Sequence, residues 1–266
     1  MSAGARLYLA FVALVLVAPL VVLAGISVNE SKSLYFPPQG FSLGWFGELL
    51  FEPGWRRALT NSLIVAAGSA LVALAIALPL AYAIWRFRPK GGETLYIIGL
   101  MPFILPPVVS ALGFLAVWAS IGLYGQLVTA VFSHGVFLTT LPLVTITLGL
   151  RAIPGEIVEA AGTMGAGEWT LARTIVLPLI VPYMISGVAF AFVLSLNEYI
   201  IAFMTIGFSY ETLPVKIFNS LRYGYSPTMA AAASVFVGLA VLVFGLIAWF
   251  GDLPRLLGAT TQRDSP

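Results

Sequence analysis

The sequence predicts an all-α polytopic membrane protein with six transmembrane helices. Hydrophobic residues make up 60% of the chain against 9% charged, with a mean hydropathy of +1.00. A soluble domain needs a charged surface, and this chain lacks one. The apolar residues come in runs of about 20, enough to cross about 30 Å of hydrocarbon at about 1.5 Å per helical residue. These runs do not alternate, which excludes the short two-residue-period segments of a β-barrel. Cysteine is absent, removing disulfide and thiolate chemistry, and a net charge of +2 gives no reason to expect nucleic acid as a partner.

The first run, Leu7–Val28, follows Arg6 and is longer than the apolar core of a cleaved signal, so it is expected to stay as an anchor. Asn29–Arg57 reads as an external loop, with turn signals at Pro37-Pro38, Gly40 and Pro53-Gly54. Its aromatics, Tyr35, Phe36, Trp45, Phe46 and Trp55, suit a water–lipid interface. The second run is Thr60–Trp85, closed by the basic turn Arg86-Phe87-Arg88-Pro89-Lys90.

The third run, Thr94–Ala119, contains Pro102, Pro106 and Pro107. Each proline lacks an N–H and clashes with the carbonyl four residues back, so a kink near mid-span is expected. Carbonyls freed there face either a pathway or packed neighbours. The fourth run, Leu127–Leu150, holds the lone histidine, His134, assigned to a satisfied buried hydrogen bond. The fifth is Leu179–Ile206 and the sixth Met229–Phe250. On the sixth, Gly238 and Gly245 follow the small run Ala230–Ser234 and read as a helix-packing face. Between the last two runs, Leu213, Ile217 and Leu221 recur at helical spacing, with Pro214 in the first turn, so a short amphipathic helix is expected.

Basic residues set the orientation. With both termini cytoplasmic, eight lie inside (Arg6, Arg86, Arg88, Lys90, Arg151, Arg173, Arg255, Arg263) and five outside (Lys32, Arg56, Arg57, Lys216, Arg222). Residues 1–57 then form an N-terminal helix and external loop, 58–250 the transmembrane core, and 251–266 a cytoplasmic tail.

The longest inside loop is 151–178. Pro154 suits a helix start, and Glu156 and Glu159 lie where carboxylates favour the helix dipole. Ile157, Ala161 and Met164 give an apolar face, while Ala160 and Ala161 are small enough for a second protein to approach. Gly162 and Gly165 permit a sharp turn, and Glu168–Thr174 can form a second short helix leading to Leu177-Pro178. The result is either a polar knob made to fit a groove or a solvated connector.

Glu159-Ala160-Ala161, then Gly165, then Ile175 and Leu177-Pro178 resembles the signature loop of permease subunits in binding-protein-dependent ABC importers. The resemblance spans roughly Thr60–Phe250, including Asn61-Ser62 at the start of the second run. It implies the type I importer permease fold, in which this loop is a coupling helix seated on an ATPase. Glu159, Ala160, Ala161 and Gly165 would be its contact residues. It further implies two ATPase subunits that bind ATP and Mg, a second permease subunit (identical or different), an extracytoplasmic solute-binding protein, and a home in the inner membrane. This chain itself carries no cofactor under that reading. None of its lysines, Lys32, Lys90 or Lys216, completes the Gly-Lys-Ser/Thr of a phosphate loop.

Within the family, Ser195-Leu196-Asn197-Glu198-Tyr199 and Thr212–Ile217 look most like spermidine/putrescine-type permeases. A carboxylate in mid-span costs about 2.5–3.5 kcal/mol on insertion scales, so Glu198 is a functional candidate. It either attracts an amine or holds a gate, with Asn197 and Tyr199 beside it, or partners a polar group on another span. Pro106 and Pro107 are the other pathway candidates. The rival reading is an ion-gradient-driven secondary transporter, which calls for several intramembrane ionisable groups. Here only Glu198 and His134 are available.

Overall fold

The computed structural model describes residues 2–207 and 209–250; the expected tail, 251–266, with Arg255 and Arg263, lies outside the described residues. The described chain is helical: α1 (Ala3–Ser27), α2 (Gly44–Phe51), α3 (Pro53–Phe87), α4 (Gly92–Ile104), α5 (Pro107–Ser120), α6 (Leu127–Phe137), α7 (Thr140–Arg151), α8 (Gly155–Thr163), α9 (Glu168–Leu171), α10 (Leu177–Asn197), α11 (Ile200–Ile206), α12 (Leu213–Tyr223) and α13 (Pro227–Phe250). A π-helical turn, Ala172–Val176, joins α9 to α10 without a break.

Four stretches are individually long and apolar enough to span a membrane: Ala3–Ser27, Pro53–Phe87, Glu168–Asn197 and Pro227–Trp249. Two bent pairs complete six if each is one span: α4 with α5, turned by 100°, and α6 with α7, turned by 41°. The third span therefore does more than kink. Leu105 and Pro106 are extended, α4 stops, and α5 restarts with Pro107 in its first turn, where a missing N–H costs nothing. The fifth span is also interrupted, at Glu198 and Tyr199, where an uninterrupted helix is expected.

The chain forms two compact units. One comprises the chain up to Asn61 together with Glu211–Val241. In it, α1 lies open along its length, as a lipid-facing helix does, and buried Asn29 organises the loop after it. The Asn29 side-chain oxygen accepts from the Gln39 N–H at 2.9 Å, and its backbone carbonyl accepts from Trp45 Nε1 at 2.6 Å. Glu52 caps α3, accepting from the Trp55 N–H at 2.7 Å. The Gly54 and Trp55 backbone N–H groups hold the Glu52 carboxyl below its ordinary range. Trp55 is buried, with Lys216 Nζ 5.2 Å from its ring centre. The amphipathic α12 forms as expected and is tied back by Asn61, which donates to the Glu211 carbonyl at 2.9 Å.

The second unit, among the described residues, is Ser62–Tyr210 with 242–250. Its core lies along a seam of small residues on α3, where Ala66, Ser69, Ala70, Ala73, Ala77 and Ala81 are buried. Such a seam lets helices approach closely in lipid, where packing rather than water exclusion drives association. α7 packs on α10 at Gly187, where an added Cβ would fall 2.5 Å from Pro142 Cα. Around Gly238 and Gly245 no described atom lies within 4 Å of a built Cβ, so the expected glycine face of the last span is open. Burial on that helix falls instead on its part in the first unit, at Thr228, Met229, Ala230, Ala231, Ala232 and Phe236.

Candidate functional site

The loop 151–178 is a folded projection. Pro154 supplies the extended N-cap of α8, and Glu156 occupies the first turn, where its charge favours the helix N-terminus. The helix ends in a Schellman motif: Ala166 N–H donates to the Ala161 carbonyl and Gly165 N–H to the Gly162 carbonyl, both at 3.0 Å. Gly165 adopts φ +79°, a backbone state that a side chain resists. Gly162, by contrast, is an ordinary residue inside α8, so the turn is made by Gly165 alone.

Ala161 turns inward and is 1% exposed, joining a core with Leu150, Ile153, Leu171 and Val176. Partly buried Val158 packs on the same core. Glu156, Ile157, Glu159, Ala160, Gly162, Met164 and Gly165 face solvent, with Met164 81% exposed. The expected apolar face of Ile157, Ala161 and Met164 is thus divided: the small residue seats the loop, and the large ones stand outside. The second short helix is α9, which runs through the π turn into the fifth span. Leu177 is half-buried and Pro178 exposed at the start of α10. The forked Arg86–Glu168 pair, with Nε to Oε2 at 2.9 Å, ties the end of α3 to α9.

The second constellation is a buried polar chain. Ser69 Oγ donates to Ser195 Oγ at 3.0 Å, and Ser195 Oγ lies 2.8 Å from His134 Nδ1. His134 is wholly buried, and its Nε2 comes within 3.1 Å of Glu198 Oε2. That last approach is a charge-pair distance without hydrogen-bond alignment, since Nε2 has no hydrogen-bond partner among the described residues. If Ser69 donates to Ser195 and Ser195 to Nδ1, the imidazole proton sits on Nε2, facing the carboxylate. The buried hydrogen bond expected of His134 is made to Ser195, and Glu198 partners a polar group on another span, one of the roles expected of it; what the sequence does not show is that His134 and Glu198 face each other.

Glu198 has a second task. It breaks the helix with extended φ −78°, ψ 123°, and its carboxylate then accepts from the backbone N–H of Ile200, Ile201 and Ala202 at 2.9–3.1 Å. These are the orphan donors of α11, and a carboxylate is also favoured there by the helix dipole. Asn197 caps backward, donating to the Val193 carbonyl at 2.9 Å, and Tyr199 stacks on Phe203 with ring centres 5.6 Å apart. Pro106 and Pro107 sit at the other break, and α5 packs against α11, so the two interrupted spans meet. Among the described residues no group of three or more metal-ligating side chains is found.

Residues 74–253 match the family model described as "Binding-protein-dependent transport system inner membrane component". The chain is 30% identical over 227 residues to the spermidine/putrescine transport system permease protein PotC of Escherichia coli K12, covering 85% of each chain. It is 34% identical over 242 residues to the putrescine transport system permease protein PotI of the same organism, covering 88% of this chain and 85% of the relative. In fold it is similar to a chain of a bacterial ABC transporter involved in the import of the acidic polysaccharide alginate, with a TM-score of 0.70 over 94% of this chain and 98% of that one, at 15% identity.

Proposed function

Because the chain belongs to the family of binding-protein-dependent transport system inner membrane components, a multi-pass group of the cytoplasmic membrane, we propose that it is the permease subunit through which an ATP-driven importer moves a polyamine or related amine. The observation that carries this reading is the loop 151–178, whose α8 and its C-cap present Glu159, Ala160 and Met164 outward while Ala161 roots it in the core. A rigid projection of that kind suits a groove on an ATPase subunit.

The orientation has both termini in the cytoplasm, in line with the eight-to-five distribution of basic residues. Two ATPase subunits bind ATP and Mg and close on them. Through α8 they rock the spans between inward- and outward-open states, with a second permease subunit and an extracytoplasmic solute-binding protein completing the assembly. The amine preference draws on the identity to the two polyamine permeases. Asn197, Glu198 and Tyr199 at one break and Pro106 and Pro107 at the other are the pathway positions. With three backbone N–H groups and His134 against its carboxylate, Glu198 shapes the break more than it offers a free anion.

The test is ATPase activity and putrescine uptake of the reconstituted complex, comparing wild type with Glu159→Lys and Gly165→Asp, with co-purification of the ATPase followed in parallel. Loss of association or of coupled hydrolysis supports the docking role. Normal assembly and coupling in both variants sinks it and turns attention to a gradient-driven transporter. Uptake indifferent to putrescine would overturn the amine assignment alone.

A further inference from the structure

A cavity of about 640 Å³ opens where three helix ends converge: the end of α3, the start of α4 and the end of α7. Its polar wall carries Arg88, Arg151 and Glu93. Neither guanidinium has an ion-pair partner among the described residues, and both are exposed. Arg86, close by in sequence, is already committed to Glu168. Arg88 holds φ +45° just before Pro89, an uncommon backbone state for a residue with a side chain.

The rest of the lining has a different character. Trp85 and Tyr96 stand at the wall, and these ring types gather where membrane meets water. Ile97 and Leu100 follow Glu93 by four and seven residues on α4, about 6 and 10 Å deeper at the rise of an α-helix, and Ile84 faces them from α3. The cavity is therefore charged at its mouth and apolar behind. A free anion would use the arginines and gain nothing from the aliphatic wall; a molecule with an anionic head and a hydrocarbon tail uses both.

We propose that this cavity, which lies on the cytoplasmic side in the orientation proposed above, binds an inner-leaflet phospholipid with a singly anionic, hydroxylated headgroup. Arg88 and Arg151 take the phosphodiester oxygens with forked N–H donors. Glu93 accepts from a headgroup hydroxyl and brings the cluster to a net charge of +1, balancing one phosphodiester. An acyl chain lies along Ile84, Ile97 and Leu100. Basic pockets between helix ends are a known way for membrane proteins to hold anionic headgroups. Bound there, the lipid would bridge three spans beside Arg151, the residue from which the loop 151–178 springs.

The experiment is native mass spectrometry of the full chain in detergent, titrated with phosphatidylglycerol and, separately, with phosphatidylcholine, each with and without millimolar inorganic phosphate. Wild type is expected to retain phosphatidylglycerol in preference to phosphatidylcholine, and inorganic phosphate is expected not to displace it. Arg88→Asn, which tolerates positive φ, and Arg151→Gln should each weaken retention about fivefold, and together about 25-fold. Equal retention by wild type and the double variant overturns the site. Equal retention of the two lipids overturns the headgroup assignment, and displacement by inorganic phosphate makes it a free-anion site instead.

Discussion

His134 and Glu198, on different spans, approach to 3.1 Å between Nε2 and Oε2, while the other imidazole nitrogen is 2.8 Å from Ser195. One histidine thus joins the fourth span to Ser195 at the end of α10 and to Glu198 at the break itself. His134→Leu keeps apolar bulk but strips Ser195 and Glu198 of a partner. It should destabilise the chain by about 2–4 kcal/mol, and Ser195→Ala by about 1 kcal/mol. Because both remove links of one chain, the double variant should fall short of the sum. Thermal unfolding in detergent reads all three, and strict additivity would show that the links act separately.

Gly162 and Gly165 should respond oppositely to alanine. Neither has an atom within 4 Å of a built Cβ, so sterics are equal. Gly165→Ala must hold φ +79° and should cost about 1–2 kcal/mol in the cap of α8. Gly162→Ala lies within α8 and should add up to about 1 kcal/mol of helix stability. Amide hydrogen exchange across residues 155–166 distinguishes them; a shared sign would contradict the Schellman turn.

Gly187→Ala places a methyl 2.5 Å from backbone Pro142 Cα and from Thr145 Oγ1. Overpacking of that kind costs about 1–3 kcal/mol, whereas Gly238→Ala meets nothing inside α13 and should range from neutral to about 1 kcal/mol stabilising. Paired melting curves of the two variants check the contrast.

The Glu52 cap gives α3 a pH-dependent start. Its carboxyl is held below the ordinary range by the Gly54 and then the Trp55 backbone N–H, so its contribution is complete above the unfolded value near 4.3 and fades as pH falls through the lower folded value. Glu52 is exposed, so the expected size is that of a surface cap, about 0.5–1 kcal/mol. Exchange protection of the Trp55 amide should drop below about pH 4, and Glu52→Gln should show the lower protection at every pH. Protection in wild type that ignores pH would refute the cap.

The apolar runs were readable because hydrocarbon thickness dictates their length, and α12 because water on one side dictates its period. The interruption at Glu198 and Tyr199 was not. No proline or glycine lies between Leu194 and Ile206, and the break depends on a carboxylate choosing three N–H groups of the following turn. That choice is supported by a histidine no local pattern can bring near. Prolines did mark the third span, but a kink and a 100° turn share the same signal, and packing of α5 on α11 decides between them. On α8, helical spacing located an apolar side without saying that Val158 and Ala161 face the protein's own core while Ile157 and Met164 flank it. Periodicity identifies a face; it does not identify what lies opposite.

The π turn at Ala172–Val176 works as a one-residue shim between loop and span. A π turn accommodates one residue more than an α turn, so everything before it is rotated by about 100° about the helix axis relative to an unbroken α-helix. The bearing of α8 therefore depends on the length of this segment as well as on Ala161 in the core and the Arg86–Glu168 pair. Removing one residue would let the segment close as an ordinary α turn and leave the loop's aim unchanged, whereas drawing the same five residues into α-helix would aim it about a quarter-turn away, like a key cut correctly on a misaligned shaft.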